Sequence, residues 1–126
     1  MTFLQQQIIV EIIYIYYHYI RLTCTHDTGI LMGKIRSFAD PETQKIYRQI
    51  PSKKLPVEIQ SVALRKLIMI DHAETLSDLR VPPANHLEKL QGNRDGQYSV
   101  RINLKYRICF SCREDEFYDV EICDYH

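Results

Sequence analysis

The side chains with the widest chemical range lie toward the carboxyl end of the chain. Cys109-x2-Cys112 is followed by Cys123-x2-His126, which are the ligand types and pair spacings of a three-cysteine, one-histidine zinc set. Position argues against a shared ion. Cys109 and Cys112 fall inside the strand-like run Tyr106-Arg-Ile-Cys-Phe-Ser-Cys112, where residues three apart point to opposite faces. Together with Cys24 they read as free thiols of a reducing, cytoplasmic compartment, and no metal or other cofactor is expected. His126 has a separate capacity, because an unperturbed imidazole titrates at about pH 6.5 and passes a proton in either direction. Taken alone, it reads more readily as a tail residue than as a catalytic one.

Cations are the second ingredient. Over all 126 residues, 16 Lys and Arg balance 16 Asp and Glu, so net charge alone points to no nucleic-acid partner. The distribution points the other way. Residues 32–113 carry 15 Lys and Arg against 8 Asp and Glu, while residues 114–126 carry six acids and no Lys or Arg. A basic body with an acidic terminal segment suits a polyanion or an acidic partner protein.

The elements that must position these groups follow from local signals. Lys34-Ile35-Arg36-Ser37-Phe38 alternates polar and apolar side chains as a half-buried strand does. Asp40-Pro41-Glu42 supplies a helix cap, a first-turn proline and an acid near the positive helix end, predicting a short helix through about Gln49. Pro56 opens a longer helix to about His72, with Ile59, Ala63, Leu67 and Ile70 as its buried stripe. Pro82 and Pro83 predict an extended link. Four strands follow, at about His86–Leu90, Gln97–Asn103, Tyr106–Arg113 and Phe117–Cys123. Their connections are too short for parallel crossovers and imply antiparallel hairpins. The expected fold is α+β, an N-terminal strand and two helices packed on a small antiparallel sheet, in a single domain.

Residues 1–31 differ in kind. Ile8 to Ile20 is a run of Ile, Val and Tyr broken only by Glu11 and His18, and Arg21 is the segment's single cation. It meets neither the roughly 20-residue apolar length of a membrane span nor the charge pattern of a secretory signal, and no membrane partner is expected. A β-rich appendage or an interfacial anchor stays open for this extension, but it also has the composition of translated A/T-rich DNA, and the preferred reading takes Met32 as the biological start of a domain covering 32–126. A natural product containing a peptide from Thr2 to Arg21 would contradict that start.

Five stretches carry a family resemblance. They are Leu64-Arg-Lys-Leu-Ile-Met-Ile-Asp71, Asp78-Leu-Arg-Val-Pro-Pro-Ala-Asn85, Leu87-Glu-Lys-Leu-Gln-Gly-Asn-Arg94, the pair Tyr98–Asn103 with Tyr106–Phe110, and Val120-Glu-Ile-Cys-Asp-Tyr-His126. In this order, ending on Asp-Tyr-His, they resemble the HigB plasmid-maintenance killer proteins of the RelE/ParE toxin superfamily. The resemblance covers nearly all of Met32 to His126 and leaves the first 31 residues without counterpart. It implies a toxin of a type II toxin–antitoxin system that cleaves messenger RNA in the ribosomal A site without a metal. It also implies neutralisation by a helix-turn-helix antitoxin, HigA.

Such cleavage uses the RNA 2′-hydroxyl as nucleophile, so the protein must move protons and neutralise charge on phosphorus. On the resemblance, His126 is the proton carrier, Tyr125 stacks on or bonds to a base, and Asp124 orients a neighbouring imidazole or cation. Arg107 stabilises the phosphate, Arg94 and Arg101 contact the RNA backbone, and His86 and Lys89 extend the RNA-binding surface. Bland readings stand beside these: Arg107 paired with Asp119 or Glu121, Arg94 shaping a turn, Tyr98 and Tyr106 packing the sheet. The chain departs from the family pattern at His86, where relatives carry Arg, at Gln91, where many carry Lys, and at Tyr106, where Trp is usual. The first two remove a cation that could meet phosphate, and His86 is suited to take over part of the acid–base work. A second function class stays open, the non-catalytic inhibition of DNA gyrase known from the ParE branch; a clustered His, Tyr and Arg constellation favours the nuclease.

Overall fold

A computed structural model describes residues 33–124 and, ahead of them, Leu4, Gln5, Ile8, Glu11 and Ile12. A short helix, α1 (Pro41–Tyr47), starts where the cap signal places it: the Asp40 carboxylate accepts from the Thr43 amide at 3.3 Å. It stops two residues before the expected Gln49. There Gln49 turns left-handed at φ 62°, and the Ile50 and Gln49 amides bond back to the carbonyls of Lys45 and Ile46. That is a Schellman closure with glutamine in the place usually taken by glycine.

The second helix, α2 (Val57–His72), buries the expected stripe of Ile59, Ala63, Leu67 and Ile70. Its second half is buried more widely, adding Leu64, Ile68, Met69 and Asp71. Asp71 is a carboxylate at 2% exposure, and it accepts from the Ile35 amide at 2.9 Å and the Tyr47 hydroxyl at 2.7 Å. It thereby ties three segments together, as a buried carboxylate must if its desolvation is to be offset.

Beyond α2 the chain makes two short 3-10 turns, Leu76–Arg80 and Pro83–Asn85. The link expected to be extended is therefore extended only as far as Pro82. Asn85, fully buried, holds it to the core: its amide donates to the Leu79 carbonyl at 3.1 Å, and its carboxamide oxygen accepts from Lys66 on α2.

Among the described residues, the sheet is four antiparallel strands in the order β1 (Glu88–Lys89), β2 (Gln97–Arg101), β3 (Tyr106–Arg113) and β4 (Glu116–Asp124). The expected first hairpin strand shrinks to two residues, Glu88 and Lys89, which pair in register with Ser99 and Tyr98, while the Leu90 amide adds one further bond to the Gln97 carbonyl at 2.8 Å. The Lys34–Phe38 segment runs parallel to the free edge of β4, with Arg36 bonded to the Phe117 carbonyl at 2.7 Å and Ala39 to that of Val120 at 2.9 Å. Its alternation was legible, but it forms bridges at Ile35 and Phe38 rather than a full strand.

One irregularity sets the faces of the sheet. Between Cys109 and Ser111 the register with β4 slips, and Asp119 takes φ 54°. This bulge lets Phe117, Val120 and Ile122 all turn inward, although three and two residues separate them. They pack with Val100, Ile108 and Phe110 against the helices, and Phe110 meets Phe117 edge to face at 5.2 Å. Tyr98 and Tyr106 also pack against this core, the sheet-packing role weighed for them. Among the described residues, α1 and α2 both contribute to the core on this one face of the sheet.

Candidate functional site

The face away from the helices collects the residues that alternate with the core positions. Arg107 lies near its centre at 4% exposure. Its Nε donates to Ser99 Oγ at 2.7 Å, and one terminal nitrogen donates to the His86 carbonyl and lies 4.0 Å from the Glu88 carboxylate. The guanidinium is thus turned toward β1 and β2, where it fastens the loop entering β1. The cross-hairpin pairing considered for it, with Asp119 or Glu121, is not what these contacts use.

Glu121 belongs instead to Arg94. Both terminal nitrogens of Arg94 lie 3.3 Å from one Glu121 oxygen, and one of them also donates to Gln97 at 3.0 Å. Arg94 leaves the Gly92–Arg94 turn and reaches across the sheet to β4, so its turn-shaping and face-lining roles coexist. Burial works against its charge, but Cys123, Cys109 and Glu121 outweigh that and hold its pKa above the ordinary arginine value.

The remaining expected site residues take different stations. Arg101 pairs in register with Arg107 and lines a shallow cleft of about 170 Å³ with Arg65, Lys66 and Met69 of α2. Burial, and then the neighbouring charge of Arg65, lowers the pKa of Lys66. His86 is exposed in a left-handed conformation, φ 43°, ψ 57°, with its carbonyl held by Arg107. Lys89 is exposed on the edge strand. Asp124 closes β4 opposite Tyr106 and forms an ion pair with Lys105 at 3.5 Å. Tyr125 and His126 lie outside the described residues, as does Cys24.

The fold therefore brings Arg107, the His86 backbone and Glu88 into one cluster, and Arg94, Glu121, Cys109 and Cys123 into a second beside it. Arg101 opens toward α2, and Lys89 stands at the sheet edge. Sequence reasoning missed Ser99, Glu88 and Glu121 as organisers of this face. The available signal was period-two spacing: Ser99 precedes Arg101, Arg107 precedes Cys109, and Glu121 precedes Cys123 by two residues each. Among the described residues, no group of three or more His, Cys, Asp or Glu side chains is arranged to hold a metal ion. Cys112 faces the core while Cys109 faces away from it.

The face presents fixed positive charge over hydrogen-bonding groups, an arrangement suited to a phosphodiester chain or to carboxylates. Comparisons with known proteins narrow the choice. The family model for the RelE-like toxin of the type II toxin–antitoxin system HigB matches residues 36–126. Toxin HigB-1 of Vibrio cholerae serotype O1 is 44% identical over 69 residues, which are 55% of this chain and 67% of that protein. An uncharacterized protein of Haemophilus influenzae is 43% identical over 63 residues, 50% of this chain and 62% of its own length. The matched stretches thus span about two thirds of either relative. Among solved structures, a chain of the YoeB-YefM complex from Staphylococcus aureus aligns at a TM-score of 0.48 with 21% identity, covering 73% of this chain and 97% of that one.

Proposed function

This chain belongs to the HigB family of RelE-like toxins of type II toxin–antitoxin systems, and we propose that it acts as a ribosome-dependent messenger-RNA endoribonuclease. The observation that carries this reading is the family match running through to His126 over a sheet face built around Arg94 and Arg107.

In the proposed reaction the RNA's own 2′-hydroxyl attacks the adjacent phosphorus and the 5′-oxygen leaves, giving a 2′,3′-cyclic phosphate. The nucleophile belongs to the substrate, so the protein's task is to move protons and stabilise charge. His126 is assigned as proton carrier, Tyr125 as the base-contacting ring and Asp124 as the carboxylate that orients a neighbouring group. Arg94 and Arg101, the more open arginines, meet phosphate oxygens, with Lys89 and His86 extending the track. Arg107, expected to stabilise the phosphate directly, is assigned a positioning role instead: nearly buried, it sets a positive charge beneath the face and holds the His86 carbonyl, with the Glu88 carboxylate 4.0 Å away. The partner that restrains the toxin is proposed to be a HigA-like helix-turn-helix antitoxin that covers this face or keeps it off the ribosome.

The deciding measurement is primer extension on a reporter messenger RNA in a purified translation system, comparing the full chain with His126→Ala. Cuts that require ribosomes and fall by roughly 10²- to 10⁴-fold in the variant are expected, the scale of losing a proton-transfer group. A folded chain that makes no cuts yet blocks DNA supercoiling would replace the nuclease with the gyrase-inhibitor reading.

A further inference from the structure

On the sheet face away from the helices, β3 and β4 bring two thiols together. Cys109 pairs in register with Glu121 and Cys123 with Arg107, which makes the cysteines diagonal neighbours across the hairpin. Their sulfurs are 2.6 Å apart, and the Cys123 thiol also lies 3.8 Å from the Arg107 carbonyl oxygen. Cysteines packed against a core commonly serve as small apolar side chains, as the partly buried Cys112 does. Cys109 and Cys123 differ from it in having each other, and in having the Arg94 cation near enough to act on both sulfurs.

We propose that Cys109 and Cys123 form an oxidation site, a dithiol that hydroperoxides, hydrogen peroxide being the simplest, convert to a disulfide between β3 and β4. One sulfur attacks a peroxide oxygen, the O–O bond breaks, and a sulfenic acid and one water result. The other sulfur then attacks the oxidised one. An S–S bond forms, and the hydroxyl leaves with the second thiol's proton as another water. Two thiols and one hydrogen peroxide give one disulfide and two waters; the sulfurs lose two electrons and the peroxide gains them.

The surroundings favour the first step. A hydrogen bond from Cys123 lowers the Cys109 pKa; burial opposes this and the Arg94 charge reinforces it. Cys123 is correspondingly pushed up, since it keeps the proton that the pair shares. Cys112, raised by burial and by the charge of Asp115, is the unreactive comparison within the same strand. Cys109 is itself fully buried, and the half-buried Cys123 beside it marks the side from which a molecule the size of hydrogen peroxide reaches the pair. A thiol pair of this kind in a reducing compartment has the character of a transient, redox-responsive bond rather than a permanent staple.

The test uses the full chain, reduced, then exposed to hydrogen peroxide, denatured, alkylated and mapped by mass spectrometry. The expected product has lost two hydrogens, carries one linked peptide pair joining Cys109 to Cys123, and still alkylates at Cys24 and Cys112. Its thermal midpoint should rise by roughly 5 °C or more and return on adding dithiothreitol, because the cross-link constrains the unfolded chain. A Cys24→Ser, Cys112→Ser double variant should behave alike, whereas Cys123→Ser should form no intramolecular bond at Cys109. Full alkylation of Cys109 and Cys123 after peroxide treatment, or a dominant link through Cys24 or Cys112, would overturn the proposal. The map on the unsubstituted chain decides the matter even if a variant fails to fold, and no readout depends on RNA cleavage.

Discussion

Two arginines on the same face are expected to separate stability from activity. Arg107 supplies donors to Ser99 and to the His86 carbonyl from an almost fully buried position. Arg107→Met should leave those acceptors unsatisfied and cost about 1–3 kcal/mol in a denaturant titration. Arg107→Lys keeps the charge but not the planar fork, and should recover only part of that loss. Arg94, whose side chain is 35% exposed in its pair with Glu121, belongs to the other category. Arg94→Ala should change stability by under about 1 kcal/mol while weakening RNA cleavage. If Arg94→Ala unfolded the protein and Arg107→Met left it intact, the assignment of positioning and contacting roles would be reversed.

At the scale of elements, the joint between the edge segment and the helices rests on Asp71. Its carboxylate collects Ile35 and Tyr47 from outside α2, and Gly33 sits directly against it. A methyl group on Gly33 would fall 2.2 Å from the Asp71 carboxylate atoms, so alanine there must displace the carboxylate or the chain. Gly33→Ala should therefore destabilise by about 1–3 kcal/mol. Asp71→Ala should cost about 3 kcal/mol, since two donors lose their acceptor in a buried place. The two effects should not add: with the carboxylate gone, the Gly33→Ala penalty should shrink in a double-mutant cycle of thermal or denaturant melts. Simple additivity would show that the joint is made elsewhere. The helix signals around Asp40 and Pro56 were readable from sequence because they are local. Asp71 was not, since its partners Ile35 and Tyr47 are 36 and 24 residues away in the chain.

At the scale of the molecule, the uneven charge along the sequence is partly erased in space. Three of the four acids of β4 are matched by cations of the basic body: Arg36 with Glu116 at 2.9 Å, Arg94 with Glu121 at 3.3 Å and Lys105 with Asp124 at 3.5 Å. The Glu116 carboxyl is accordingly held below the usual carboxylate range by its bonds from Arg36 and Tyr118. What remains for a polyanion is the set of cations on the open face and around the Arg101 cleft. Binding to ribosome-bound RNA should therefore weaken with salt, and Arg94→Ala with Arg101→Ala should reduce the slope of log affinity against log salt by roughly 0.7 per lost phosphate contact. An unchanged slope would mean that these arginines touch no phosphate. Toward the start of the chain, Glu11 pairs with Arg65 on α2, one of the residues lining the cleft, at 2.9 Å.

By itself the sequence determined the kinds and order of the elements, because caps, proline positions and the periods of apolar residues act within a few residues of where they are read. It also carried the family, through ordered stretches ending in Asp124-Tyr125-His126. Only the tertiary structure decided which way Arg107 turns, which partner Glu121 takes, and that Cys109 meets Cys123 rather than Cys112. Those outcomes depend on strand register and on the Asp119 bulge, and register comes from packing two faces at once, a condition that no single segment contains.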